Sequence, residues 1–101
     1  MYEIVYLPEA EEDLFLLPDN VLNEVLGYIK KYQTEPYKYS SKLYNQGGLN
    51  LEGYRKTYVA NATYRIVIEV ENNITKVVEV VAIGHRKNKE VYKDAHLRIN
   101  K

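Results

Sequence analysis

Lys56, Arg65 and Arg86 are the side chains of this sequence best suited to chemistry. An arginine fork grips two phosphate oxygens at once, and a lysine adds a compact charge beside it. Tyrosines accompany these cations. Tyr54 and Tyr58 flank Lys56 at two-residue spacing, and Tyr92 follows Arg86 by six residues. Strand side chains alternate, so a strand over residues 51–59 puts Tyr54, Lys56 and Tyr58 on one face and Leu51, Gly53, Arg55, Thr57 and Val59 on the other. In the following run Tyr64, Ile66, Ile68 and Val70 read as a core face, and Arg65 points away from it with Val67. A sheet whose core face is covered by helices then presents Lys56, Arg65 and Arg86 together on its other face. Cations for phosphates, interleaved with aromatic platforms for bases, are what a single-stranded RNA site requires. Arg65 has a structural alternative, an ion pair with Glu69 or Glu79.

The elements that must position these residues follow from periodicity. Residues 2–7 are β-rich and form a first strand. Pro8 suits the first turn of a helix, where its missing N–H costs nothing. Glu9, Glu11, Glu12 and Asp13 crowd the N-terminal half of that helix, and Ala10, Leu14 and Leu17 form its apolar stripe. A second helix over residues 20–33 carries Val21, Leu22, Val25, Leu26, Ile29 and Tyr32 on a wide apolar face, and Glu35-Pro36 ends it. Lys30 and Lys31 near its end complement the macrodipole. Residues 37–50 are polar and tyrosine-rich, with an edge strand starting at Lys42 and a turn at Gly47-Gly48. Strands over 51–59, 63–71 and 74–83 follow, joined by short Asn-containing connections that signal antiparallel hairpins. The last is apolar on both faces and reads as a central strand. Gly84 to Lys89 is a basic loop, and a helical stretch over 93–99 closes the chain. The order β-α-α-β-β-β-α predicts an α+β fold: an N-terminal strand and helical hairpin packed on an antiparallel meander, with a short C-terminal helix, in a single domain over residues 1–101.

Composition narrows the function classes. The absence of cysteine excludes disulfides, thiolate zinc sites and cysteine nucleophiles. The histidines, His85 and His96, have no carboxylate cluster beside them, so no metal site is expected, and no cofactor is implied. No apolar run is long enough for a membrane span, and the first residues carry neither a basic leader nor a long apolar stretch. The expectation is a cytoplasmic protein. Lys and Arg number 14 against 14 Asp and Glu, a balance that argues against a general nucleic-acid binder. The balance is uneven along the chain. Residues 1–35 hold two basic against eight acidic side chains, a net −6, and residues 36–101 hold 12 against six, a net +6. That asymmetry suggests an acidic face and a basic face.

The opening with Pro8, Ala10, Asp13 and Leu14, the segment Leu51-Glu52-Gly53-Tyr54-Arg55-Lys56, the strand Tyr64-Arg65-Ile66-Val67-Ile68-Glu69-Val70, and the closing Ile83-Gly84-His85-Arg86 with Glu90-Val91-Tyr92 stand in a telling order. Over residues 2–99 that order and spacing resembles the RelE/ParE superfamily of bacterial toxins. The resemblance implies a RelE-like fold. In the RelE branch it implies the toxin of a type II toxin–antitoxin pair, which cleaves mRNA in the ribosomal A site without metal and so inhibits translation. Catalytic roles then fall on Lys56, Arg65, Arg86 and Tyr92, and RNA-binding roles on Tyr54, Arg55, Tyr58, Lys87 and Lys89. The implied partners are a cognate antitoxin and mRNA on the ribosome, with no small-molecule cofactor. In one place the chain departs from the pattern. The family's best-known branch has a second lysine two residues after the first, and here that position is Tyr58. His85 is the candidate replacement, because related branches use histidine. Two other functions fit the same resemblance: a ParE-like toxin that inhibits DNA gyrase, and a protein-binding module whose nuclease activity has decayed.

Overall fold

A computed structural model of the chain describes residues 1–44 and 48–100. Its elements run β1 (Glu3–Tyr6), α1 (Pro8–Phe15), α2 (Asp19–Tyr32), β2 (Ser41–Lys42), β3 (Arg55–Val59), β4 (Tyr64–Asn72), β5 (Lys76–His85) and α3 (Glu90–Ile99). One 3-10 turn, Lys87–Lys89, leads into α3. The fold is α+β, with the helical hairpin and strand meander that the sequence predicts. The strands form one sheet in the order β1-β5-β4-β3-β2. β3, β4 and β5 pair antiparallel, and β1 lies parallel to β5, so the hairpin α1-α2 belongs to the crossover that covers one face.

The apolar residues sort onto the two faces by period. On the hairpin face, Ala10 from α1 and Val21, Val25, Ile29 and Tyr32 from α2 meet Val59, Ile66, Ile68, Val78, Val80 and Ile83. Leu14 and Leu17 pack against this cluster, as their spacing predicts, whereas Leu26 is exposed. On the opposite face, Val91, Tyr92 and Ala95 of α3 meet Val67, Val81, Ala82, Leu43 and Leu51. β5 is therefore an interior strand, between β1 and β4, covered on both sides.

Several boundaries differ from the sequence reading, among them the end of β5, which runs on to His85 through residues read as loop. β3 begins at Arg55, because Leu51–Tyr54 folds as a turn with Gly53 at φ +90°, and the fully buried Leu51 fills the α3-side core instead of a strand position. β5 begins at Lys76, leaving Ile74 exposed in the hairpin turn. α3 begins at Glu90 and so takes in Val91 and Tyr92. The edge strand β2 is present and short, pairing Ser41 with Lys56 and Lys42 with Arg55. Of the Gly47-Gly48 turn, Gly47 lies outside the described residues, and Gly48 adopts φ +87°.

A β-bulge sets the geometry of the far end of β5. Ala82 pairs with Val67 and Val80 with Ile68, so Val81 is one residue too many. Its disturbed backbone is satisfied by side chains. Arg98 of α3 donates to the Val81 carbonyl at 2.9 Å, and Asp13 of α1 accepts the Ile83 N–H at 3.0 Å. Asp13 and Arg98 also grip each other through two hydrogen bonds, at 2.7 and 3.1 Å. This nearly buried pair joins the two helix layers through the bulge.

Candidate active site

Arg65 is the centre of the α3-side face. In the register it lies opposite Tyr58 on β3 and opposite Gly84 on β5. A Cβ at Gly84 would come within 3.4 Å of Val91, so the glycine lets α3 approach and brings Tyr92 to Arg65. The Arg65 guanidinium carbon sits 4.4 Å from the Tyr58 ring centroid and 5.5 Å from that of Tyr92. Its Nη1 donates to the Tyr92 hydroxyl at 2.5 Å. Its Nε is buried without a hydrogen-bond partner among the described residues, which costs about 1–3 kcal/mol. Lys56, two residues from Tyr58, places Nζ 5.1 Å from the same ring. Neither cation is spent on a carboxylate: among the described residues the ion pairs are Lys38–Glu35 and Arg98–Asp13. The alternative pairing of Arg65 with Glu69 or Glu79 does not form.

The charges act on the phenol between them. Tyr58 is 46% exposed, and its pKa lies below the ordinary tyrosine value. The hydrogen-bonding influence of Lys56 is the main cause; burial opposes it, and the charges of Lys56 and Arg65 add to it. Tyr92 is the opposite case. Only 2% exposed, its ring belongs to the core, and its hydroxyl holds Arg65. It cannot offer a face to a base.

The other residues singled out in the sequence are dispersed. Arg86 leaves β5 two residues past Gly84; its backbone N–H bonds the Thr63 carbonyl at 2.9 Å, and its side chain is exposed with no partner among the described residues. Lys87 and Lys89 are exposed on the same turn. His85 faces the helical hairpin. It pairs with Tyr64, rings crossing at 5.1 Å, and its Nδ1 accepts the Lys87 N–H at 2.9 Å. The structure therefore does not bring His85 to Lys56 and Arg65. Arg55 also points to the hairpin side, and its guanidinium donates to Ser40 Oγ at 2.7 Å and to the Ser40 and Tyr37 carbonyls. It anchors the 37–40 loop and is not a free cation. Tyr54 shares the face of Lys56 but is partly buried at its far end, where burial and then the charges of Glu69 and Glu79 raise its pKa. Those two glutamates pair across β4 and β5. The −6/+6 division along the chain is thus not a division into faces, because acids and cations share this one.

A second feature escaped the sequence reading. An open groove of about 350 Å³ runs off the edge of β3, lined by Tyr28, Lys38, Tyr39, Lys56 and Tyr58 among others. Lys31 Nζ lies 5.0 Å from the centroids of both Tyr28 and Tyr39, and Lys38 lies 5.4 Å from Tyr39. Lys31 is therefore more than a complement to the helix dipole. The i, i+3 spacing of Tyr28 and Lys31 was a legible signal, but only the fold brings Tyr39 to them.

No protein-family model matches the sequence, and no curated protein matches it significantly. Solved structures do. An arginine double mutant of the Escherichia coli toxin RelE in the free state superposes with a TM-score of 0.71 at 23% identity, covering 97% of each chain. The fold is that of RelE. A chain of the RelBE2 toxin–antitoxin complex of Mycobacterium tuberculosis gives a TM-score of 0.65 at 23% identity, over 84% of this chain and 98% of that one. The archaeal RelE–RelB complex of Pyrococcus horikoshii gives 0.61 at 20% identity, over 84% and 94%. In this RelE fold the Lys56–Tyr58–Arg65–Tyr92 network occupies the sheet face beside α3. Among the described residues no helix is long and apolar enough to cross a membrane, and no group of three or more metal-ligating side chains gathers.

Proposed function

We propose that the chain is the toxin of a type II toxin–antitoxin pair and that it cleaves mRNA on the ribosome without a metal. One observation carries this reading: on a RelE fold, Lys56 and Arg65 stand on one face without a carboxylate partner among the described residues, bridged by Tyr58 and braced by Tyr92. RNA cleavage by the neighbouring 2′-hydroxyl needs a base, neutralisation of charge growing on the phosphorus, and a proton for the 5′-oxygen. Arg65 supplies bidentate donors for the phosphate oxygens with Lys56 as a further charge beside the same ring, and Arg86, exposed past the end of β5, is the second arginine on which the reading calls. Tyr92 is a positioning residue, fixing the angle of Arg65. The Tyr28–Tyr39 groove, which shares Lys56 and Tyr58 with the site, offers rings and cations to flanking nucleotides. Lys87 and Lys89 face solvent beside Arg86 and suit phosphate contacts.

An antitoxin completes the reading. Two of the similar solved structures are toxin–antitoxin complexes. A partner segment with acidic side chains would neutralise Lys56, Arg65 and Arg86 by covering them. Induced expression without antitoxin tests the proposal. Growth should arrest with mRNA cut, and Arg65→Ala or Arg86→Ala should abolish arrest while far-UV circular dichroism stays unchanged. Arrest with intact mRNA, DNA breaks and an SOS response would point instead to gyrase, and full tolerance of the wild-type chain would point to a decayed module.

A further inference from the structure

We propose that Tyr58 is the general base of this site, its phenolate oxygen taking the proton of the attacking 2′-hydroxyl; the inference rests on the nuclease reading above. Geometry narrows the choice. His85 is on the hairpin face with Nδ1 engaged by the Lys87 N–H. The Tyr92 hydroxyl is buried and accepts from Arg65. Arginine does not lose its proton in proteins. Lys56 and Tyr58 remain, and they are not equivalent.

Tyr58 is the phenol bracketed by cations: Arg65 at 4.4 Å on β4 and Lys56 at 5.1 Å on its own strand, both measured to the ring centroid. Arg65 is itself fixed from α3 by Tyr92. Tyr28 of α2 and Lys38 and Tyr39 of the 37–40 loop line the groove beside it, and among the described residues neither Arg65 nor Lys56 has a carboxylate partner. Two positive charges at this range favour the phenolate, and its lowered pKa agrees in direction. The side chain is half exposed and so accessible to substrate. Lys56, with its Nζ beside the ring, is one of the two cations that stabilise that phenolate.

The step balances without a redox partner. The phenolate oxygen takes the 2′-hydroxyl proton, the 2′-oxygen forms a bond to phosphorus, and the P–O5′ bond breaks. The 5′-oxygen leaves with the bonding pair and takes a proton from water, and Tyr58 returns its proton to solvent. The products are a 2′,3′-cyclic phosphate and a 5′-hydroxyl.

Tyr58→Phe removes only the hydroxyl and keeps the ring under Arg65. Single-turnover cleavage of mRNA on stalled ribosomes, followed from pH ~6 to ~9, should rise with pH for the wild type and lose about 10²-fold or more, together with that rise, in Tyr58→Phe. Tyr58→Lys should recover part of the rate. Lys56→Met should move the rise to higher pH, and an ultraviolet difference titration of wild type against Tyr58→Phe should show the same displacement without any substrate. Tyr58→Phe cleaving within a few-fold of wild type, on the same pH profile, would overturn the assignment and leave the nuclease reading standing. No cleavage by the wild type would overturn both.

Discussion

Tyr92 shows how one buried hydroxyl can govern an exposed charge. Its ring, carried on α3, packs into the core beside the sheet, and its oxygen accepts from Arg65. Tyr92→Phe should cost about 1 kcal/mol of stability for the lost hydrogen bond. It should slow cleavage by about tenfold through a loosened Arg65, which corresponds to about 1.4 kcal/mol of transition-state stabilisation. Arg65→Lys should slow cleavage more than Tyr92→Phe, because lysine keeps the charge but cannot reproduce the fork. Unchanged cleavage in Tyr92→Phe, measured alongside urea denaturation, would reduce Tyr92 to a core residue. At this scale the sequence was informative where period two held. Tyr58, Lys56 and Arg65 share a face as alternation requires. His85 was named through the resemblance and read as part of a loop, whereas it closes β5 beyond the Val81 bulge. Val78 and Val80 face the hairpin, and unbroken alternation would turn His85 to the other side; the extra residue turns it back to the hairpin and gives Gly84 to Arg65. Nothing in the local sequence announces that bulge, whose backbone is satisfied by residues from α1 and α3.

Between elements, the β4–β5 ladder carries an opposing charge arrangement. Glu69 and Glu79 are cross-strand partners, and the pKa of the Glu69 carboxyl is raised above its ordinary value of 4.5, by burial first and then by Glu79 and Glu71. A carboxyl with a raised folded pKa binds its proton more tightly when folded than unfolded. Its contribution to stability is present below the ordinary pKa and is lost as pH rises through the raised one. Glu69→Gln should therefore stabilise the fold at neutral pH and flatten the loss of stability with rising pH just above pH 4.5. Urea midpoints across that range check it; a Gln variant less stable than wild type at neutral pH would contradict the repulsion. The meander and both helices of the hairpin were legible from periodicity and turn residues. The start of β3 was not, because Leu51 is apolar for the sake of the α3-side core and imitates a strand residue.

For the whole molecule, the Asp13–Arg98 pair is the tie between layers. Each side chain is 13% exposed. Arg98→Met leaves the Asp13 carboxylate without its partner and should destabilise by about 3 kcal/mol, read from the denaturation midpoint. A loss comparable with that of a surface ion pair, below about 1 kcal/mol, would show the layers are held by packing alone. The formal charge of zero limits free RNA affinity, so binding to isolated oligonucleotides should be modest and fall steeply with salt. That suits a nuclease whose substrate is delivered to it. The central claim, that this face cuts mRNA held by the ribosome, is tested most directly by primer extension on a defined mRNA in a reconstituted translation reaction. Wild type and Arg86→Ala are compared with and without ribosomes. New 5′ ends produced by the wild type alone, and only when ribosomes are present, are the expected result. An intact message in every lane, or equal cleavage by Arg86→Ala, would contradict it.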